Sequence, residues 1–327
     1  EHVKPASNPT TADLQKVSRD LALLHTEHVT FKNSVALPDD KHFDLFSIKN
    51  GALQQNERWR HKRTKAVASF IRKCLVVADS HINVELLINV HDKYDGEFSN
   101  YPVLAFGKSV TNRPEIIEIP SLYLLDGTVK RRCGKTKKVD PPFHLKRGKV
   151  CFYGASTGDL DTDNNQRVQA AIWAQDKKNM IIKITNWCQG ADQDLISKGL
   201  GDLIPLLSDK TKSIRRQLLY KYLLNIDGNA TSWDRFIWQL YSNSLSLKLE
   251  SNQTEFWYPL LEDRHNFLSV TLDNLEEVIA HFSANKDEVL TINRQSRSLV
   301  SDWLLNPDFL QSYMIHVLTF LSEKFSD

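Results

Sequence analysis

An α/β fold in two parts is predicted for this 327-residue chain, and three observations predict it. Short apolar runs of strand length alternate with amphipathic helical stretches, the pattern of parallel sheets covered on both faces. The alternation runs twice. Between the two series lies a segment rich in Lys, Arg, Gly and Pro, which reads as an exposed connection. The length suffices for two ordinary domains. An apolar fraction of 41% against 25% charged residues is that of a chain able to bury a core, not a disordered one.

In chain order, the first series starts with a helical stretch from Ala12 to Leu24 and a short hairpin at Leu45–Ile48 with the turn Lys49-Asn50-Gly51. Residues 56–79 read as a helix with Ala66, Val67, Phe70, Ile71 and Leu75 on one face. Strands follow at Val84–Val90, Pro102–Phe106 and Ile116–Ile119. The second series has strands at Lys149–Tyr153, Met180–Ile184, Tyr222–Ile226, Leu245–Leu249 and Phe267–Val270. Helices are expected at Asn164–Gln175, Ser213–Tyr220 and Ser232–Tyr241, with three more helical patterns toward the end. The expected division is two Rossmann-like domains, 1–140 with a helical lead-in and 141–305, and a final helix over 306–327 packing back on the first. No internal repeat is evident.

Several classes are disfavoured by what the sequence lacks. No run approaches the roughly 18 apolar residues needed to span a bilayer. The opening Glu-His-Val-Lys-Pro has no signal-peptide character and the closing Lys-Phe-Ser-Asp is no retention signal. Cys74, Cys133, Cys151 and Cys188 form no C-x-x-C pair, so reduced thiols and a cytoplasmic setting are expected. Neither a P-loop nor a G-x-G-x-x-G fingerprint occurs. The basic residues Lys130, Arg131, Arg132, Lys135, Lys137 and Lys138 can attract an anionic partner, but 129–142 has no aromatic for nucleic-acid stacking. A solvated linker is the simpler reading.

Ligands of such sheets bind beyond the carboxyl ends of the strands. That rule selects the loop after Val90, with His91, Asp92 and Asp95, the loop Gly154-Ala155-Ser156-Thr157-Gly158, with Asn165 and Arg167 behind it, and the loop Asp227-Gly228-Asn229-Ala230-Thr231-Ser232-Trp233-Asp234-Arg235. Small hydroxylated residues before a helix offer N–H groups to a phosphate, and a following Arg adds a charge-assisted contact. The same composition also suits a plain helix cap.

These residues resemble a known family. Lys221–Trp233, Leu87–Asp92, Phe152–Gly158 with Asn165 and Arg167, Ser244–Ser251, Phe256–Pro259 and Asn266–Val270 are similar, in that order, to the motifs of glycosyltransferase family 90, over roughly residues 55 to 325. The family includes protein O-glucosyltransferases and capsule- or lipopolysaccharide-modifying enzymes. Tyr153 and Ala155 depart from its pattern, where Arg and Ser are usual, and Asp234 intervenes before Arg235.

The resemblance implies a GT-B-like transferase, its two Rossmann-like domains facing across a cleft, inverting and metal-independent, with no cofactor and a UDP-sugar as substrate. Asp92 is the expected general base, with Asp95 in reserve. Gly154, Ser156, Thr157, Arg167, Asp227, Gly228, Asn229, Ser232, Trp233, Arg235 and Glu250 are the expected donor residues. The acceptor is a glycan, lipopolysaccharide or protein, with no nucleic acid and at most peripheral membrane contact through basic segments. Two alternatives remain open: a metal-dependent transferase using Asp159-Leu160-Asp161, Asp161-Thr162-Asp163 or Asp192-Gln193-Asp194, and a non-catalytic sugar-nucleotide binder. A sequon at Asn229, inside the donor loop, favours a cytoplasm over the secretory lumen, because a glycan there would block the site.

Overall fold

The computed structural model describes residues 9–29, 31, 42–54, 61–78, 81–92, 102–109 and 116–326. In chain order the elements begin α1 (Thr11–Thr26), β1 (Phe43–Lys49), β2 (Ala52–Leu53), α2 (Lys62–Val77), β3 (Val84–Asn89), β4 (Val103–Ala105), β5 (Lys108–Ser109) and β6 (Ile116–Glu118). They continue with α3 (Leu122–Leu125), α4 (Thr128–Val139), β7 (Arg147–Gly154), α5 (Gln166–Trp173), β8 (Met180–Ile184), α6 (Ala191–Ser197), α7 (Leu203–Leu207) and α8 (Ile214–Gln217). The last are β9 (Tyr220–Asn225), α9 (Asp234–Leu240), β10 (Leu245–Leu249), β11 (Gln253–Thr254), β12 (Leu268–Val270), α10 (Leu275–Ala284), α11 (Lys286–Ser298) and α12 (Pro307–Ser326).

The chain forms two compact units. Unit 1 comprises Glu1–Thr128, Asn252–Leu260 and Ser301–Asp327; unit 2 comprises Val129–Ser251 and Leu261–Val300. The limits at 128/129 and 300/301 stand where the sequence reading put 140/141 and 305/306.

Unit 2 matches the expected parallel architecture. Its sheet runs β12-β10-β9-β7-β8, every neighbour parallel. β9 and β10 are buried along most of their length (Tyr222–Asn225, Leu245–Leu249), as strands covered on both faces must be. Ala170 and Ala171 of α5, and Ile279, Phe282, Val289 and Ile292 of α10 and α11, share one apolar core with Val150, Phe152, Leu224 and Leu247.

The sheet of unit 1, β2-β1-β3-β4-β6, is mixed rather than parallel, which corrects the Rossmann-like expectation for the first half. β3-β4-β6 is parallel, but β1 runs antiparallel to both β2 and β3. The cause is visible in β1, which alternates half-buried and buried residues, the pattern of an antiparallel strand with one covered face. α1 and α12 pack together in this unit, where the Ser18 and Ser312 hydroxyls meet at 2.6 Å. No described helix is long and apolar enough to cross a membrane.

A second correction concerns 129–142. Most of it is helix α4, with Val129, Cys133 and Thr136 buried. That i, i+4, i+7 spacing forms one helical face, which the surrounding lysines, arginines and Gly134 mask in a reading by composition. The helix expected over Ser213–Tyr220 shrinks to Ile214–Gln217, because Tyr220 already pairs in β9. All four cysteines are free; Cys74, Cys133 and Cys151 are buried, and burial pushes the Cys74 and Cys133 thiols up to about 12.

Unit 1 holds a buried ionic cluster. Glu118, fully buried, lies 2.8 Å from His25 Nδ1 and 3.1 Å from Lys108 Nζ. His25 Nε2 lies 3.0 Å from the Phe256 carbonyl, and the Tyr313 hydroxyl donates to the Glu118 carbonyl at 2.5 Å. Burial raises the Glu118 carboxyl, but His25 and Lys108 outweigh it and leave the group below its ordinary value of 4.5. A carboxyl depressed in the folded state contributes stability above its unfolded value and loses it as pH falls through the folded one. Melting of the parent should therefore decline as pH drops below about 4.5, and Glu118→Gln should show a shallower decline. An equally steep acid limb in the variant would assign it to other carboxylates.

Candidate functional site

The parallel sheet of unit 2 sends all its carboxyl ends to one edge. Beyond β7 the chain continues to β8 on one side of it, then through α6, α7 and α8 to β9 on its other side. The winding direction reverses between β7 and β9. Loops diverge at such a switch point, and a ligand crevice forms there. The loops at this point are 154–158 and 227–233, the two predicted from the sequence.

Arg167, the second residue of α5, knits these loops together. Its Nε donates to the carbonyls of Ile226 (3.2 Å) and Asp227 (3.0 Å), Nη2 to Ile226 (3.0 Å), and Nη1 to the Ala155 carbonyl (3.1 Å) and the Thr157 hydroxyl (2.5 Å). Gly228 makes this closeness possible: a Cβ there would lie 2.5 Å from Thr157 Oγ1 and 3.0 Å from Arg167 Cζ. The Asn229 side-chain oxygen accepts from the Gly158 N–H at 3.0 Å.

Arg235 is the second residue of α9 and donates to the Tyr153 carbonyl at 2.6 Å. Both guanidiniums approach the Phe152 ring, Arg167 at 5.7 Å and Arg235 at 5.1 Å from its centroid. Burial lowers both, Arg167 to about 10, and their mutual proximity depresses Arg167 further. The neighbouring carboxylates are already engaged. Asp227 takes Lys248 Nζ (2.5 Å), the Ser251 hydroxyl (2.5 Å) and the Ser232 N–H (3.1 Å); Asp234 pairs with Arg132 at 2.7 Å. Neither Arg167 nor Arg235 has a carboxylate partner among the described residues. Two desolvated cations in no ion pair, with Asp227 and Asp234 near them but already engaged elsewhere, favour an anion between or beside them.

The other predicted donor residues have these surroundings. Ser156 is buried and ties the β7 loop to the β8 loop, donating to the Cys188 carbonyl (3.2 Å) and accepting from the Cys188 N–H (2.9 Å). Ser232 is held by Asn225 at 2.6 and 2.9 Å. The first turn of α5 is capped by Asn165, whose oxygen accepts from the N–H groups of Arg167 (3.1 Å) and Val168 (3.2 Å). This helix end is a side-chain cap, so those N–H groups are already satisfied. Gly154 ends β7 with no room for a Cβ against Phe152. Trp233 precedes α9 at φ 53°, ψ −128°, strained for a non-glycine residue. Glu250 is exposed at the end of β10, where one carboxylate oxygen accepts from the Ser269 hydroxyl at 3.1 Å.

In unit 1, Asp92 stands three residues beyond β3 and is 46% exposed in its side chain. Arg63 Nη1 reaches its Oδ1 at 2.6 Å and the Val90 carbonyl at 2.9 Å. His42 lies beside His91 (ring centroids 4.5 Å) and His61 (5.7 Å). Asp95 falls outside the described residues.

The D-x-D candidates converge on an ammonium. Lys198 Nζ lies 2.9 Å from Asp194, 3.1 Å from Asp163 and against Asp161. The Thr162 hydroxyl and N–H, then Lys198, hold Asp194 at about 2. No metal-holding group of His, Cys, Asp or Glu occurs among the described residues.

Comparison with known families bears on the coarse identity. Residues 206–326 match the model of glycosyl transferase family 90. No curated protein matches the chain. At its coarsest the family match assigns glycosyl transfer, with a donor and an acceptor substrate. The segment matched to family 90 carries Asp227, Gly228, Asn229, Ser232, Trp233, Arg235 and Glu250; Asp92 and the β7 loop lie before it.

Sequence reasoning missed Arg63, Arg132, Lys248 and Asn225. Lys248 had no local signal, because Leu245-Ser246-Leu247-Lys248-Leu249 alternates and reads as a strand with the lysine on a solvated face. Arg63 had none, standing in a basic run.

Proposed function

We propose that this chain is an inverting, metal-independent glycosyltransferase moving a hexose or pentose from a UDP-sugar to a hydroxyl of a glycan, lipopolysaccharide or protein. The observation that carries the donor side is the pair Arg167, buried, and Arg235, half-buried, at the switch point, neither of them in an ion pair among the described residues. The reading takes the two units as the halves of a GT-B-type transferase working in a cytoplasm. UDP binds at the β7–β9 edge of unit 2, Glu250 receives a ribose hydroxyl, and Arg235 with the remaining Nη2 N–H of Arg167 faces the diphosphate.

The acceptor oxygen attacks the anomeric carbon while Asp92 takes its proton. The bond from that carbon to the diphosphate oxygen breaks, and UDP leaves with the electron pair. Charge grows on the leaving group, so fixed cations stabilise the transition state more than the ground state. Attack from the face opposite the leaving group inverts the anomeric centre.

Metal independence is supported by Lys198, which occupies the centre of the Asp161, Asp163 and Asp194 carboxylates. Activity should survive excess EDTA with no later gain from Mn²⁺. Loss with EDTA and recovery with Mn²⁺ would transfer the proposal to the D-x-D mechanism. The central experiment is UDP release from a panel of UDP-glucose, UDP-xylose, UDP-galactose and UDP-GlcNAc with candidate acceptors, preceded by a thermal-shift screen of the donors. Stabilisation by UDP without release in any combination would support the non-catalytic binder.

A further inference from the structure

Helix α4 presents a cationic face that the donor chemistry does not use. With Val129, Cys133 and Thr136 turned inward, the opposite arc carries Lys130, Lys135, Lys137 and Lys138, all exposed, together with Gly134. Successive helical residues turn about 100°, which spreads these side chains over roughly 160° of the surface. No acidic residue occurs between Asp126 and Asp140, and none of the four lysines has an acidic partner among the described residues. The helix is 12 residues long, about 18 Å.

We propose that α4 docks unit 2 onto an anionic lipid bilayer. Four unpaired ammonium groups on one continuous arc, unrelieved by acids, match a surface of uniform negative charge more closely than a patterned protein partner. The composition argues against nucleic acid: the arc has no aromatic side chain to stack on bases, and lysine does not make the bidentate contacts of arginine. Since the apolar side of α4 is covered by the protein itself, the contact is electrostatic rather than insertion of an amphipathic helix. Just beyond the helix, the turn Phe143–Leu145 leaves Leu145 67% exposed beside His144 and Arg147, an apolar tip available to the interface. Arg132, on the same helix, is ion-paired with Asp234 at the start of α9, which fixes the docking helix to the proposed donor loop. The inference does not depend on the donor reading, since it concerns residues outside that site.

The test is co-sedimentation of the full chain with phosphatidylcholine vesicles, with and without about a third phosphatidylglycerol. Binding should require the anionic lipid and vanish at high salt, where charges are screened within a few ångströms. Each lysine near such a surface contributes about fivefold to partitioning. The combined variant Lys130→Gln, Lys137→Gln, Lys138→Gln should therefore bind about a hundredfold more weakly. A control with Lys178→Gln, Lys210→Gln and Lys286→Gln, exposed lysines of the same unit, changes net charge equally and should bind within a few-fold of the parent. Circular dichroism and thermal melting check that both remain folded; if the triple variant does not, Lys135→Gln alone should lose about fivefold. Equal losses in the two triple variants, equal binding to pure phosphatidylcholine, or tighter binding to duplex nucleic acid at the same salt would each overturn the proposal.

Discussion

Asp92→Asn is expected to lower the rate of UDP release in the presence of acceptor by about 10²–10⁴, the usual cost of a lost general base, equivalent to about 3–5 kcal/mol of barrier. Asparagine has nearly the same size, and its amide oxygen can still accept from Arg63, which now reaches Asp92 Oδ1 at 2.6 Å. The loop geometry should persist while proton acceptance is lost. UDP affinity should barely move, because the proposed donor contacts belong to unit 2. Asp95→Asn should be far milder. If Asp92→Asn keeps more than about a tenth of the rate while Asp95→Asn loses most of it, the base lies three residues further along the chain. If both keep it, the base is neither, and the mechanism on this side fails.

The central strands of unit 2 were legible because they are covered on both faces. Val150-Cys151-Phe152 and Tyr222-Leu223-Leu224 are apolar runs too short for helices, and each leads into a loop of unusual composition. Strand order was not legible. That β9 returns to the far side of β7, making 154–158 and 227–233 neighbours, is a long-range choice that no local pattern records. Unit 1 shows the same limit: the turn Lys49-Asn50-Gly51 announced the antiparallel hairpin of β1 and β2, but nothing local announced that β1 also pairs antiparallel with β3.

The site was legible in residue type but less so in role. A loop of Gly, Ser and Thr before an Arg-bearing helix pointed to the edge of the sheet where the winding reverses. Which donors stay available for a ligand depends on carbonyls brought in from elsewhere. Ser156 and Ser232 turned inward because Cys188 and Asn225 meet them, the first from the loop after β8 and the second from the end of β9, the strand that leads into the loop of Ser232. The two sequence departures make contact through their backbones: the carbonyls of Tyr153 and Ala155 accept from Arg235 and Arg167, interactions that any side chain at those positions can retain.

Arg167→Ala and Arg235→Ala should separate structural clasp from phosphate contact. Arg167 satisfies the carbonyls of Ala155, Ile226 and Asp227 from a side chain that is 8% exposed. Its removal leaves buried acceptors unpaired at about 1–3 kcal/mol each, and breaking such a buried charged network costs about 3–5 kcal/mol in all. At roughly 2–4 °C per kcal/mol for a unit of this size, melting should fall by roughly 6–20 °C. Arg235 donates to a single described acceptor, the Tyr153 carbonyl, so its alanine variant should melt much closer to the parent. Under the proposed function that variant instead loses a charge-assisted phosphate contact worth about 1.5–3 kcal/mol, or tenfold to hundredfold in UDP affinity. Arg167→Lys should resemble Arg167→Ala in melting, because one ammonium cannot span carbonyls on two loops as a planar fork does. Differential scanning calorimetry and UDP titration of the three variants read both quantities. A parent-like melting temperature for Arg167→Ala would mean that the loops hold together without the clasp. UDP affinity unchanged in Arg235→Ala would place the diphosphate away from the switch point.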